Sequence, residues 1–216
     1  LRGFVTFLVM LVGLLLFDRK ALKVRVKDIW CFVGTGALSV SFFNFCYFKT
    51  ITLTSLSVAA VLLYTAPAFV MIMSSFLFKE EMTKKKVAAL IIAFMGCVLV
   101  SGVVGGSGTL NIKGVLVGLG AGFGYALYSI FGRYALQRGY NSMTITFYTF
   151  VFATLATVFM ADVSSIINIV ETRPGLSVYA AFMILFVTLF PYLCYTKGLS
   201  GMENGTASVI ASIEPV

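Results

Sequence analysis

The residues hardest to explain as packing are one carboxylate and two prolines. Glu214 stands beside Pro215 in an apolar stretch near the end of the sequence, and Pro67 stands in another. A proline has no backbone N–H, so each deprives the carbonyl four residues earlier, at Leu63 and Ala211, of its helical partner. An acidic side chain at the centre of a membrane helix costs about 2.5 to 3.5 kcal/mol even on the mildest insertion scales. Glu214 is therefore expected to face a cavity or to hold its proton. It is a candidate for coupling proton movement to substrate movement or for pairing with a cationic substrate group, and a structural hydrogen bond to a neighbouring helix is the alternative. Tyr64 and Ser212 stand within a few residues of the two prolines, and Asn44 and Tyr192 within a few residues of Lys49 and Lys197; together with Glu214 these four form the candidate substrate-binding set.

Other chemistries find little support. There is no histidine, and Cys31, Cys46, Cys97 and Cys194 lie in apolar runs without close pairing, which reads as small buried hydrophobes rather than a metal site or a disulfide framework. Gly114, Gly118, Gly122 and Ala126 recur every four residues, a smooth stripe for close helix packing. The same stretch imitates a dinucleotide fingerprint, but Phe123 occupies the third glycine position and no strand precedes it. The glycine-rich segment from Gly102 to Thr109 lacks the phosphate-loop lysine and is expected to be an external hairpin. No cofactor is implied. No serine and lysine, or pair of aspartates, is placed to act as an intramembrane catalyst, so an enzyme is disfavoured.

The elements that must carry the candidate residues are membrane helices. About 60% of the chain is apolar and 11% charged, a balance suited to lipid. Eight uncharged runs can be drawn: Gly3 to Phe17, Ile29 to Phe48, Leu56 to Phe78, Val87 to Val104, Gly114 to Ala135, Met143 to Ala161, Ser177 to Thr196 and Gly205 to Val216. The expected fold is all-α, a polytopic bundle with eight membrane segments here out of ten. The first and last runs look cut, since a span needs roughly 20 residues. The charge of +8 is explained by sidedness rather than by nucleic acid. With alternating loops, twelve lysines and arginines fall on one side, gathered in Arg19 to Lys27, Lys79 to Lys86, Arg133, Arg138 and Lys197. Only Arg2, Lys49, Lys113 and Arg173 fall on the other, so the first side is cytoplasmic and the protein is a multi-pass protein of the cell membrane. Thr83 is a natural cap for the helix after the second basic loop.

The chain also repeats itself. Shifted by 148 residues, Cys46-Tyr47-Phe48-Lys49 falls on Cys194-Tyr195-Thr196-Lys197, and the register runs without a gap to Pro67 over Pro215. Asn44 then pairs with Tyr192 and Tyr64 with Ser212. The two lysine-bearing turns face opposite sides, so the copies are inverted, as two five-helix halves require. The halves are expected at 1–104, with its first helix missing, and 114–216, truncated within its fourth helix. Both prolines fall about ten residues into their helices, roughly 15 Å deep. They are expected to break two helices near the midplane.

These stretches resemble the EamA-like family of the drug/metabolite transporter superfamily. The resemblance rests on Tyr47 through Pro67, on Phe78-Lys79-Glu80-Glu81 followed by Lys86 through Gly102, and on Gly205 through Pro215. It implies ten helices in two inverted repeats, with Glu80 and Glu81 on the turn after the fourth helix. It also implies a secondary transporter of small metabolites such as amino acids, amines or drug-like solutes, working in export by alternating access. Partners are then the solute, the bilayer and protons as coupling ion, with a homodimer left open. A membrane scaffold or subunit without transport is the other reading.

Overall fold

The computed structural model describes residues 2–100, 111–158, 182 and 184–212. Every regular element among them is helical, which is the all-α bundle expected. The elements are α1 (Arg2–Phe17), α2 (Ile29–Val33), α3 (Phe42–Leu53), α4 (Leu56–Leu63), α5 (Ala66–Phe78), α6 (Lys84–Val100), α7 (Ile112–Gln137), α8 (Ser142–Thr157), α9 (Phe190–Gly201) and α10 (Asn204–Ala211). Stretches of wider, π-type hydrogen bonding, Gly34–Ser41 and Ile184–Leu189, lead into α3 and α9. Three rods, Val26–Leu53, Leu56–Phe78 and Ile112–Gln137, are long and apolar enough to cross a membrane, and Gly3–Leu16 and Ser142–Thr157 are shorter apolar helices. Large apolar side chains cover the outside: Leu16, Phe76 and Ile92 are 71%, 83% and 72% exposed. That surface is stable only against lipid.

The 148-residue repeat is built into the backbone. The bounds of α3 and α9, Phe42–Leu53 and Phe190–Gly201, differ by 148 at both ends, and so do those of α4 and α10, Leu56–Leu63 and Asn204–Ala211. Both π-type stretches stop at paired positions, Ser41 and Leu189. α7 serves as a ruler for their direction. The turn between α3 and α4 lies at its start, where a Cβ on Gly114 would be 2.4 Å from Thr54. The turn between α9 and α10 lies near its end, where Arg133 reaches the Leu199 and Met202 carbonyls at 2.8 and 3.0 Å. Gly114 and Arg133 are about 28 Å apart along a helix rising 1.5 Å per residue, close to the hydrocarbon thickness. The paired turns therefore sit at opposite ends of the bundle.

Glycines allow the halves to meet. A Cβ on Gly118 would lie 2.4 Å from Leu62 Cδ1, and one on Gly122 would lie 2.6 Å from Thr65 Oγ1 and 3.0 Å from the Leu62 carbonyl. The stripe expected for packing thus brings α7 against the junction of α4 and α5. Gly36 does the same for the first rod, since a Cβ there would stand 2.5 Å from the Thr149 carbonyl of α8.

Two expectations are corrected. Lys49 and Lys197 do not sit in turns; α3 and α9 run on to Leu53 and Gly201. Hydroxyls in both segments donate to their own helix, Thr50 to Cys46 (2.7 Å), Thr54 to Thr50 (2.8 Å) and Thr196 to Tyr192 (2.7 Å), so these polar residues prolong the ladder. Cys31 and Cys46 are buried as expected, whereas Cys194 is exposed on the outer face of α9, where a thiol is apolar enough for lipid. Thr83 caps α6 as expected, accepting from the Lys86 N–H at 3.3 Å. The stretch Gly102 to Thr109, expected to be an external hairpin, lies outside the described residues.

Candidate functional site

The helix beginning at Leu56 breaks after Leu63. Tyr64 ends α4 with φ −71° and ψ 3°, and Thr65 opens α5 with Pro67 in its first turn. Proline is tolerated there because the first turn has no intrahelical acceptors for its N–H groups. The Thr65 N–H and hydroxyl both turn back to the Leu62 carbonyl, at 3.2 and 2.6 Å. Pro67 has no N–H to offer the Leu63 carbonyl. The paired residue Ser212 ends α10 with nearly the same backbone, φ −74° and ψ 0°. Glu214 and Pro215 lie outside the described residues.

These two helix ends share one small cavity, about 30 Å3, between the halves. Leu63, Tyr64 and Pro67 line it from the first half; Tyr125, Ser208 and Ser212 line it from the second. It has room for about two water molecules. Three of the residues singled out in the sequence, Tyr64, Pro67 and Ser212, thus meet at one place. Asn44 and Tyr192 are not among its lining residues. Asn44 donates to the Val40 carbonyl at 2.6 Å. Val40 packs with Tyr128 and Ala153, and Tyr192 lies edge-on to Tyr128 with ring centroids 5.2 Å apart. The interior around Tyr128 is polar: its hydroxyl bonds Thr196 at 2.6 Å, and Ser129 bonds Tyr195 at 2.7 Å. The repeat and the proline depth pointed to Tyr64 and Ser212, whereas the place of Tyr125 and Ser208 beside them follows from how α7 and α10 pack.

At the lysine-rich end, the second half is held by the first. The α5 helix closes on Lys79, which adopts the left-handed conformation (φ 55°) and turns the chain back so that the Glu80 N–H bonds the Ser74 carbonyl. The Glu80 carboxylate then accepts the Asn204 N–H at 2.9 Å and the Gly205 N–H at 3.2 Å, the first donors of α10. A carboxylate at a helix N-terminus gains from both the hydrogen bonds and the helix dipole. The paired helix in the first half is capped locally, by the Ser55 hydroxyl on the Val58 N–H at 3.2 Å. Glu203 holds the matching position and makes no such cap; it forms an ion pair with Lys86 instead. Arg133 completes the clamp by bonding the last carbonyls of α9, so a cation meets the negative helix end and a carboxylate meets the positive one. Sequence reading placed Glu80 on the correct turn but gave no partner for it.

A second tie holds the charged segment after α1. Asp28 is buried and accepts Arg138 Nε at 2.8 Å and the Tyr140 hydroxyl at 2.8 Å. Partial burial first, and then the bond to Asp28, push the Tyr140 phenol above its ordinary value, so it remains a donor at neutral pH. An open hollow of about 540 Å3, lined by Lys23, Arg25 and Arg138 among others, lies over this segment. It is larger than the cavity beside Tyr64 and Ser212 and is lined from both halves, by residues between Asp18 and Arg25 and between Arg138 and Thr144.

A helical membrane bundle of two inverted repeats, with paired helix ends beside a cavity, is the architecture of a transporter. The EamA-like transporter family matches residues 1–102 and again 112–216, and the chain belongs to that family. It is 28% identical to an uncharacterized transporter of Archaeoglobus fulgidus over 90% of this chain and 68% of that one. It is 26% identical to the uncharacterized transporter YyaM of Bacillus subtilis over 88% of this chain and 63% of that one, and 24% identical to YetK of the same organism over 100% and 66%. The chain thus spans about two thirds of the length of these relatives. A solved crystal structure superposes with a TM-score of 0.76 over 99% of this chain and 72% of that one at 15% identity, a likeness of fold.

Proposed function

We propose that this protein is a secondary transporter that moves a small organic solute across the cell membrane by alternating access. The halves are assigned to 1–104 and 114–216, and the midplane cavity is assigned as the solute site. The observation that carries this reading is the pairing of two helix ends, at Tyr64 and Ser212, across one cavity. Broken helices in matching positions of inverted repeats form the binding sites of such transporters. The excess of lysine and arginine supports placing the clamped end in the cytoplasm. In this conformation the clamp of Glu80, Lys86 and Arg133 on the turn between α9 and α10 closes that end. Transport then requires the clamp to release. Export is the direction that the resemblance implies.

The reading is tested by flux into and out of proteoliposomes carrying the full-length gene product. Amino acids, amines and sugars are screened with and without a proton gradient. At least one solute should move, and should show counterflow; a reconstituted, folded protein that moves none contradicts the proposal. Glu214 is assigned as the group that couples proton movement to the solute. Glu214→Gln should flatten the pH profile of flux, and an unchanged profile removes Glu214 from coupling.

A further inference from the structure

We infer that the hollow over the segment after α1 is a binding site for the phosphate of an anionic phospholipid. Its volume, about 540 Å3, lies within the range of small-molecule pockets, roughly 300 to 1,000 Å3. Its two walls are tied to each other. The Ala21 carbonyl accepts the Thr144 hydroxyl at 2.9 Å, and the Arg25 N–H bonds the Tyr140 hydroxyl at 3.1 Å. Lys23 and Arg25 line the hollow, stand exposed and form no ion pair among the described residues. Asp18 is the one carboxylate in the wall, so the free cations outnumber it. Arg138 is fixed through Nε to Asp28 at 2.8 Å and through Nη1 to the Tyr134 carbonyl at 3.1 Å. The rest of its five-donor fork remains for an oxyanion. Asn141 spends its side-chain carbonyl on the Thr144 N–H at 2.7 Å and keeps its amide donors.

These donors suit any phosphate, and their surroundings select one carried by a lipid. In the same segment Val26 is 82% exposed, and Ile29 and Trp30 are exposed beside it. The Arg138 guanidinium lies over the Trp30 ring, 4.9 Å from its centre. Cations interleaved with apolar and aromatic side chains fit the boundary between headgroups and hydrocarbon, where acyl chains cover Val26 and Trp30 while the phosphate meets Lys23 and Arg25. Basic pockets between membrane helices hold anionic headgroups at that depth. Because residues from both halves line the hollow, a lipid seated there bridges them. The site lies apart from the solute cavity and does not depend on what the protein carries.

Trp30 reports occupancy, since it stacks on Arg138 in the wall and is the only tryptophan in this sequence. Full-length protein, with any tryptophan elsewhere changed to phenylalanine, is reconstituted in phosphatidylcholine vesicles. To these is added phosphatidylglycerol or phosphatidylcholine with brominated acyl chains, which quench tryptophan on contact. Phosphatidylglycerol should bind roughly 5- to 25-fold tighter than phosphatidylcholine, the worth of one to two cations near the surface. Lys23→Gln with Arg25→Gln should remove that preference. Lys84→Gln with Lys85→Gln takes the same charge from the same end and should leave it. Equal quenching by the two lipids in the unsubstituted protein overturns the proposal. So does an equal loss in both double variants, which would make the preference one of general surface charge. Soluble glycerol phosphate at millimolar concentration should leave the quenching in place; if it displaces the lipid, a soluble phosphate ester is the ligand and the lipid assignment falls. Should the Lys23 and Arg25 double variant fail to fold, Lys23→Gln alone should cut the preference severalfold, and no change overturns the site.

Discussion

Removing the Glu80 carboxylate should open the lysine-rich end. Glu80 supplies acceptors for two α10 N–H groups, at 2.9 and 3.2 Å, from a half-buried position. Loss of a helix cap costs about 0.5 to 2 kcal/mol and loss of a charge near a helix N-terminus about 0.3 to 1 kcal/mol. For Glu80→Ala we take about 2 kcal/mol, and at 1.4 kcal/mol per decade the open population should rise about 30-fold. Glu80→Gln keeps one acceptor and loses the charge, and its effect should be about 5-fold. Glu81→Ala is the control: its backbone carbonyl accepts Lys86, which the substitution preserves. The assay is labelling of Ser208→Cys, in full-length protein freed of its native cysteines, by a membrane-impermeant maleimide applied from the lysine-rich side. When opening is fast relative to labelling, the rate follows the open population. Equal rates for the parent and Glu80→Ala, or equal effects of Glu80→Ala and Glu81→Ala, would refute the clamp.

Four further outcomes are expected. Gly36→Ala should lower the thermal midpoint in detergent more than Gly13→Ala or Gly96→Ala, because its Cβ meets α8 backbone at 2.5 Å while the other two meet nothing within 4 Å; overpacking of this kind costs about 1 to 3 kcal/mol. Gly122→Ala should fall on the same side, and equal midpoints for all four would show that the helices separate freely. Arg138→Met leaves the buried Asp28 with the Tyr140 hydroxyl alone as its strong side-chain partner, and trypsin should then cut the segment between Arg19 and Lys27 severalfold faster in oriented vesicles. The pH dependence of that protection follows from Tyr140. Its folded pKa is raised, so its contribution is fully present below the ordinary phenol value of about 10 and is lost as pH rises through the folded value; protection should be flat from pH 6 to 9, and a decline within that window contradicts the assignment.

Sequence made the periodic features visible and hid the contacts across the bundle. The 148-residue register, the break before Pro67 and the glycine stripe are written in residue spacing, and the paired elements reproduce them to the residue. The clamp joins Glu80 to Asn204 and Arg133 to Leu199, separations of 124 and 66 residues that no local pattern encodes. One signal was present: the repeat pairs Ser55, a good cap, with Glu203, a poor one, and a helix start without its own cap needs a partner from elsewhere. The lysines at positions 49 and 197 misled because charge was taken as an end of the membrane run, whereas neighbouring threonines carry the helix past them. Asn44 and Tyr192 were equivalent under the repeat and close in sequence to Lys49 and Lys197, but their helix faces turn toward Val40 and Tyr128 rather than the cavity.

The central claim is that solute passes only when the end clamped in this structure opens. Lys86 and Glu203 form an ion pair across that end, so Lys86→Cys with Glu203→Cys places two thiols on the closing surfaces. In proteoliposomes of the full-length protein, with the native cysteines replaced, oxidation to the disulfide should abolish flux and reduction should restore it. Undiminished flux through fully cross-linked protein would contradict alternating access about this clamp.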